Sequence, residues 1–379
     1  MKSVDTDAWE GAGLYQPGTP GAEERLALLE YLTERGATLE QMVDAQRLGS
    51  LPSVAGDLVL ARPPATLSVE QLAARCGVPV ETVQRVLLAA GLPLARDAKL
   101  SQELDALISA FVQGADLMGE NAILAFTRVL GAAATNIAEA AVALFYAELG
   151  PGTAREGNDE LSRAHMVERA TLAFTGIPEV LRRVILAQFD RVSRRALAAR
   201  GWSLPAGGEG ANEMAALGFV DLVGSTAWAA GLSLRDQSLA LSRFESDAWS
   251  SAVLAGGRVI KMIGDEAFFT APSADAACRV AIEVCRAAAQ DPMLPPARAA
   301  VGQGLVTPRE GDYFGPLVNV VSRLVKEAAP GELVVTEEVA SALPPDRWTV
   351  RDLGPTEVRG VEEPVRVFAV DESGADGSR

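Results

Sequence analysis

The chain has 379 residues, 49% of them hydrophobic, enough for two domains of ordinary size with buried cores. Lys and Arg number 34 against 50 Asp and Glu, and the resulting net charge of −16 argues against a broad electrostatic grip on nucleic acid or on an anionic membrane surface. The three cysteines, Cys76, Cys278 and Cys285, form no CxxC pair and have no neighbouring histidines, so no zinc site is indicated and a reduced compartment is the simplest reading. The N-terminus lacks the basic-then-apolar order of a signal peptide. No run approaches the roughly 18 to 20 apolar residues of a membrane span, so a cytoplasmic protein is expected.

From Glu23 to about Arg200 apolar residues recur at helical spacing and strand-like alternation is nearly absent, which predicts an all-helical domain over residues 1–203. Within it, LSVEQLAARCGVPVETVQRVLLAAGLPL (67–94) has the outline of a helix-turn-helix. Ser68 is the expected cap, the turn falls at Cys76-Gly77-Val78, and Gly91 and Pro93 end the second helix. That helix carries one arginine and one glutamate, a poor instrument for phosphates or base edges, so nucleic acid is not the expected partner. Residues 101–149 stay helical with Gly, Ala and Ser scattered through them, a pattern suited to packing against other helices of this chain or of a second subunit. His165, the single histidine, reads as a satisfied or exposed side chain.

The Gly/Pro-rich piece LPAGGEGANEM (204–214) has linker composition. Beyond it, residues 215–371 switch to short Val- and Phe-rich runs between amphipathic helices. The expected elements are strand ALGFVDLVG, helix Ser233 to Leu254, hairpin GRVIKMIGDEAFFTA, helix Ala274 to Ala289, strand RAAVGQGLVT, helix Leu317 to Glu327 and three further strands. The leading order, β-α-β-β-α-β, is that of a ferredoxin-like sheet with helices on one face, giving an α+β two-domain chain with a disordered tail at 372–379. Cys278 and Cys285, seven apart on one helix, read as core.

Two features of this half need a chemical reason. Asp221 ends an apolar strand and Asp265 sits at a hairpin tip; if the strands are neighbours their carboxylates converge and repel unless a cation lies between them. Hard oxygen ligands suit Mg²⁺ or Mn²⁺, and the Gly224-Ser225-Thr226 turn opens a helix whose free N–H groups can cradle phosphates. Lys261 stands inside the apolar run VIKMI, where a charge is costly without a partner or ligand.

FVDLVGST, KMIGDEAFF and DYFGPLVNVVSR (312–323) together resemble the three signature motifs of the catalytic domain of class III adenylyl cyclases, over roughly Ala216 to Val370. The resemblance implies conversion of ATP to 3′,5′-cyclic AMP and pyrophosphate by two-metal catalysis at a homodimer interface. Asp221 and Asp265 would hold two Mg²⁺ or Mn²⁺ ions, Lys261 and Asp312 would read the adenine edge, and Asn319 and Arg323 would position the ribose and neutralise developing charge. In the family the metal residues and the base-reading residues come from different partners.

The chain departs from the pattern at Leu305, where many members carry a basic residue reaching the phosphates, which leaves Arg298, Arg359 and Arg366 as alternatives for the pyrophosphate. IGDEAFF also resembles the GGDEF signature of diguanylate cyclases, a rival enzyme reading that expects two glycines before Asp-Glu and has no use for Lys261. A nucleotide-sensing DNA-binding regulator is the rival outside enzymology. The helical half resembles, more loosely, the regulatory domain that restrains some bacterial class III cyclases. Its signal is left open among a proton, a lipid and a small ligand.

Overall fold

The computed structural model describes residues 6–60, 65–92, 99–149, 159–200, 212–361 and 363–373. It divides into two compact units, Met1–Leu204 and Pro205–Arg379.

The first unit is helical throughout its described residues: α1 (Thr6–Gly11), α2 (Ala22–Glu34), α3 (Leu39–Arg47), α4 (Val54–Leu60), α5 (Val69–Cys76), α6 (Val80–Ala89), α7 (Leu104–Met118), α8 (Glu120–Leu149), α9 (Glu160–Thr175) and α10 (Ile177–Arg200). Ser68 caps α5 through a capping box with Gln71, and Gly77 leaves the helix in the left-handed conformation that glycine adopts without strain. One core gathers Trp9, Leu28, Leu29, Leu32, Met42 and Leu51 around Ala164 of α9. A second gathers Leu72, Val83, Val86 and Leu87 of the α5–α6 pair with Ile108 and Phe111 of α7. His165 packs edge-on against Tyr31, with ring centroids 4.5 Å apart.

Helix α8 departs from the expectation of no span-length apolar segment. Its stretch Glu120–Phe145 reaches the length and mean hydropathy, 1.3, of a membrane-crossing helix. Alanine accounts for this, since it raises mean hydropathy without forming an uninterrupted apolar run; Arg128, Thr135, Asn136 and Glu139 break the segment. On α10, Val180, Val184, Ile185, Leu186, Phe189 and Val192 are all exposed.

The second unit is built on β1 (Glu213–Leu222), α11 (Ser225–Ala230), α12 (Leu234–Leu254), β2 (Arg258–Ile263), β3 (Glu266–Ala271), α13 (Ala274–Gln290), β4 (Ala297–Arg309), β5 (Asp312–Phe314), α14 (Pro316–Leu324), a 3-10 turn (Val325–Glu327), β6 (Leu333–Thr336), α15 (Glu337–Ala342), β7 (Trp348–Thr356) and β8 (Val365–Glu372). The sheet runs β2-β3-β1-β4-β6-β8-β7, with β5 paired to the end of β4. Its first four strands are the expected ferredoxin-like arrangement. β1 is antiparallel to both β3 and β4, and β4 is parallel to β6.

Helices cover both faces rather than one. Strand β1 is buried along its last eight residues, so both of its side-chain rows need cover. Ala216, Val220 and Leu222 pack with α12 and α13, whereas Leu217 and Phe219 pack with Phe268 and with Val321 and Leu324 of α14. The alternation places Asp221 in the second row, on the α14 side. Glycine at position 302 is what lets α14 lie close on β4, because a Cβ there would collide with Val321.

Two boundaries differ from expectation. Glu213 and Met214, assigned to the linker, already pair with β4 at Val306 and Leu305, and residues 204–211 lie outside the described residues. Glu372, assigned to the tail, belongs to β8 opposite Trp348, and residues 374–379 lie outside the described residues.

Candidate active site

Asp221 occupies the last turn of pleat on β1, 3% exposed, directly opposite Glu266 of β3 on one side and Arg298 of β4 on the other. The tight turn Gly264-Asp265 between β2 and β3 brings Asp265 beside it; the Asp265 carbonyl accepts the Leu222 N–H at 3.3 Å. Gly264 takes a positive φ of 64°, as this turn requires. Asp221 and Asp265 are therefore neighbours, as anticipated, but the residue facing Asp221 across the ladder is Glu266.

Sequence reasoning missed Glu266 and Lys326 as members of this cluster, and named Arg298 only as an alternative for phosphate. Glu266 is 8% exposed. Arg298 donates from Nε to Asp221 Oδ2 at 3.0 Å, and from Nη1 to the Lys326 carbonyl at 2.6 Å. Lys326, on the 3-10 turn after α14, puts its ammonium on Asp221 Oδ1 and on Glu266 Oε2, the latter at 2.8 Å. The available signal was GDEAFF itself, where Glu266 begins a fully buried strand and so calls for a cation. Nothing in the local sequence marks Lys326, 60 residues downstream of Glu266 by numbering.

Burial pushes the Glu266 carboxyl above the usual carboxylate range; Lys326 offsets part of this, and the charges of Asp221 and Asp265 add to it. Desolvation acts against the Lys326 ammonium, yet its hydrogen bonds and charge contacts with Asp221 and Glu266 outweigh that and raise its pKa. The pocket thus holds an excess of carboxylate over what burial tolerates, which suits a divalent cation. Among the described residues no three His, Cys, Asp or Glu side chains form a ready cage. A two-carboxylate oxygen set fits an ion of the Mg²⁺ type, which takes its remaining ligands from water and substrate phosphate.

Lys261 and Asp312 come together in an ion pair across the β2 and β5 strands, and the Lys261 ammonium lies 5.9 Å above the Phe268 ring centre. Asn319 and Arg323 share an exposed face of α14. Arg323 donates to the Arg359 carbonyl rather than pairing with Glu327. Among the described residues neither Asn319 nor Arg323 has a hydrogen bond or ion pair to the Asp221 cluster or to the Lys261–Asp312 pair. Gly224, with φ 69°, starts the six-residue α11 at Ser225 and Thr226, next to the Asp221 strand end but bonded to none of its side chains.

Of the three arginines considered for phosphate, Arg298 is committed to Asp221, and Arg366 is held by Asp352 at 2.6 Å and Glu337 at 3.6 Å. Arg359 is exposed and forms no ion pair among the described residues. Leu305 is 59% exposed on β4 and supplies no charge.

Residues 300–372 match the family model described as adenylate and guanylate cyclase catalytic domain. An uncharacterized protein of Mycobacterium tuberculosis (strain ATCC 25618 / H37Rv) is 32% identical over 371 residues, 97% of this chain and 94% of its own length. The chain belongs to the adenylate and guanylate cyclase family. A pH-sensitive adenylate cyclase of Mycobacterium tuberculosis (strain CDC 1551 / Oshkosh) is 28% identical to this cyclase over 373 residues, 93% of this chain and 89% of that protein. Among solved structures, the adenylyl cyclase CyaB from P. aeruginosa is similar at 23% identity and a TM-score of 0.40, covering 45% of this cyclase and 100% of that chain. The family match contains Asp312, Asn319, Arg323 and Lys326, whereas Asp221 and Asp265 lie N-terminal to the matched residues.

Proposed function

We propose that this cyclase converts ATP to 3′,5′-cyclic AMP and pyrophosphate at a site completed by a second copy of the chain. One observation carries the reading: Asp265 lies beside the end of β1 that holds Asp221, its carbonyl accepting the Leu222 N–H, while Asn319 and Arg323 stand on an exposed helix face with no hydrogen bond or ion pair to either among the described residues. Two half-sites on one chain become two whole sites in a symmetric dimer.

In this reading Asp221 and Asp265 hold two Mg²⁺ or Mn²⁺ ions. Bound there, the metal lowers the pKa of the ribose 3′-hydroxyl and neutralises phosphate charge. The 3′-oxygen forms a bond to the α-phosphorus, the bond from that phosphorus to the bridging oxygen of the β-phosphate breaks, and the hydroxyl proton leaves to solvent. Asn319 orients the ribose, and Arg323 balances charge developing on the phosphate. Arg359, whose carbonyl accepts from Arg323 and whose side chain forms no ion pair among the described residues, is taken to hold the departing pyrophosphate.

Lys261 and Asp312 choose the base. Lys261 donates to a ring nitrogen of adenine and Asp312 accepts from its exocyclic amine; guanine presents a protonated ring nitrogen and a carbonyl, which this pair leaves mismatched. The two side chains satisfy each other, and an ion pair this exposed costs little to open. Support for ATP also comes from the adenylate cyclase matched over 93% of this chain.

Regulation is assigned to the helical half. A site that exists only between two catalytic domains is switched by whatever shifts them, and the exposed apolar side chains of α10 suit a helical partner from the second copy. The test is complementation. Asp221→Ala and Asn319→Ala chains, each nearly inactive, should regain cyclic AMP formation from ATP when mixed and allowed to exchange subunits, and GTP should be turned over poorly. No recovery despite demonstrated exchange would reject the shared site. Residues 213–379 alone, held at dimer-forming concentration, should exceed the full chain in kcat if the helical half restrains catalysis.

A further inference from the structure

Both oxygens of Asp221 have a cationic partner, Oδ2 in Arg298 and Oδ1 in Lys326. The two cations are held very differently. Arg298 is 20% exposed along its side chain and has a second anchor, donating from Nη1 to the Lys326 carbonyl at 2.6 Å and to the Ala328 carbonyl at 3.5 Å. Lys326 is 47% exposed along its side chain, and among the described residues its ammonium meets only the two carboxylates. Its backbone is fixed by Arg298 and by the fully buried Leu324 and Val325 beside it. The flexible stem can therefore swing into water while the turn stays in place.

We propose that Lys326 is a built-in counter-ion that fills the cation position between Asp221 and Glu266, so that divalent metal binds by displacing its ammonium. The inference rests on the assignment of Asp221 as a metal ligand. It follows from competition for one carboxylate: with Arg298 held on Oδ2, a divalent ion and the Lys326 ammonium drawn to the same side chain repel each other. A buried carboxylate pair without a cation would be costly, and the lysine supplies that cation from within the chain. The cost appears in metal affinity, which is lowered by the fraction of molecules in which Lys326 holds the site. Lys326 directly follows the helix that carries Asn319 and Arg323, so its release also frees a side-chain tether between that helix and the end of β1.

The experiment is Mn²⁺ titration of the full chain by calorimetry without nucleotide, comparing wild type with Lys326→Met, Lys326→Arg and Asp221→Asn. Lys326→Met should bind Mn²⁺ about tenfold more tightly or better, since the competitor is gone. Lys326→Arg should bind no more tightly than wild type, and Asp221→Asn should lose binding. In parallel, acylation of wild-type lysines read by peptide mass spectrometry should show Lys326 labelling several-fold faster with Mn²⁺, and this arm decides the matter if Lys326→Met does not fold. Loss of binding in Asp221→Asn together with unchanged affinity in Lys326→Met, or unchanged Lys326 labelling in metal-saturated wild type, overturns the counter-ion role while leaving the metal assignment standing. Wild-type binding in Asp221→Asn overturns the metal assignment and the counter-ion role with it.

Discussion

Asp221 and Glu266 stand directly opposite each other across the β1–β3 ladder, 3% and 8% exposed, on the row that faces α14. Like charges placed so are destabilising, and the structure answers with one cation from β4 and one from the turn after α14.

Removing Asp221 therefore has two separable effects. Asp221→Ala strips the shared acceptor from Arg298 and Lys326 and should cost about 2–3 kcal/mol of stability, below the full cost of a broken buried pair because Lys326 can reach water. Asp221→Asn keeps the shape and should cost less. Both should lower kcat/KM for cyclic AMP formation by about 100-fold or more. Urea unfolding and steady-state assays on the two variants separate the effects. Near wild-type turnover in Asp221→Asn would remove the aspartate from the chemistry.

Lys261→Ala frees Asp312 and removes the proposed donor to adenine. Its kcat/KM for ATP should fall by about 10- to 100-fold while that for GTP changes little, so the preference between the two collapses. Because the Lys261–Asp312 pair is half-exposed, the melting temperature should hardly move. A parallel loss for both nucleotides would show that the pair does not read the base.

Gly302→Ala places a methyl against Val321, a side chain stiff at its first torsion, and pushes α14 away from β4. The expected cost is about 1–3 kcal/mol. Activity should drop further than stability predicts, since α14 carries Asn319 and Arg323. Comparing kcat with wild type well below both melting transitions tests this; a stability loss with full kcat would mean that α14 need not be held closely.

Asp275, in the first turn of α13, accepts from Trp348 Nε1 at 2.9 Å and from Arg347 Nη1 at 3.0 Å, pinning that helix to the start of β7. Burial pushes its carboxyl up, but the hydrogen bonds from Trp348 and Arg347 and the charges of Arg347 and Arg279 prevail and hold it below the ordinary value of 3.8. Between the folded and unfolded pKa values the unfolded chain binds more protons, so this contribution is fully present above about pH 4 and is lost as pH falls through the folded value. Asp275→Asn should lower stability at pH 7, and the gap to wild type should narrow as the pH is taken below 4. Chemical denaturation at a series of pH values measures it, and a gap independent of pH would assign the loss to packing.

Local chemistry fixed much of this molecule before any tertiary contact. Ser68 and Gly77 bound α5 because capping and left-handed geometry are properties of single residues, and GRVIKMIGDEAFFTA closes its hairpin because Gly264 supplies the turn's positive φ. The same near-neighbour patterning made Asp221, Lys261 and Asp265 stand out as charges where apolar residues belong. Register and approach were another matter. That Glu266 rather than Asp265 faces Asp221 depends on how β3 aligns with β1, and a shift of one residue would have reversed it. The second helical layer was invisible because α14 is held by the absence of a side chain at Gly302, and the span-length hydropathy of α8 was missed because it comes from scattered alanines and not from an unbroken apolar run. Arg298 stood beside Arg359 and Arg366 as an alternative for phosphate on charge alone, whereas cross-strand pairing commits it to Asp221. Lys326 reaches Asp221 from 105 residues away through the placement of α14 on the sheet, and only the folded chain decides which distant cation meets a buried carboxylate.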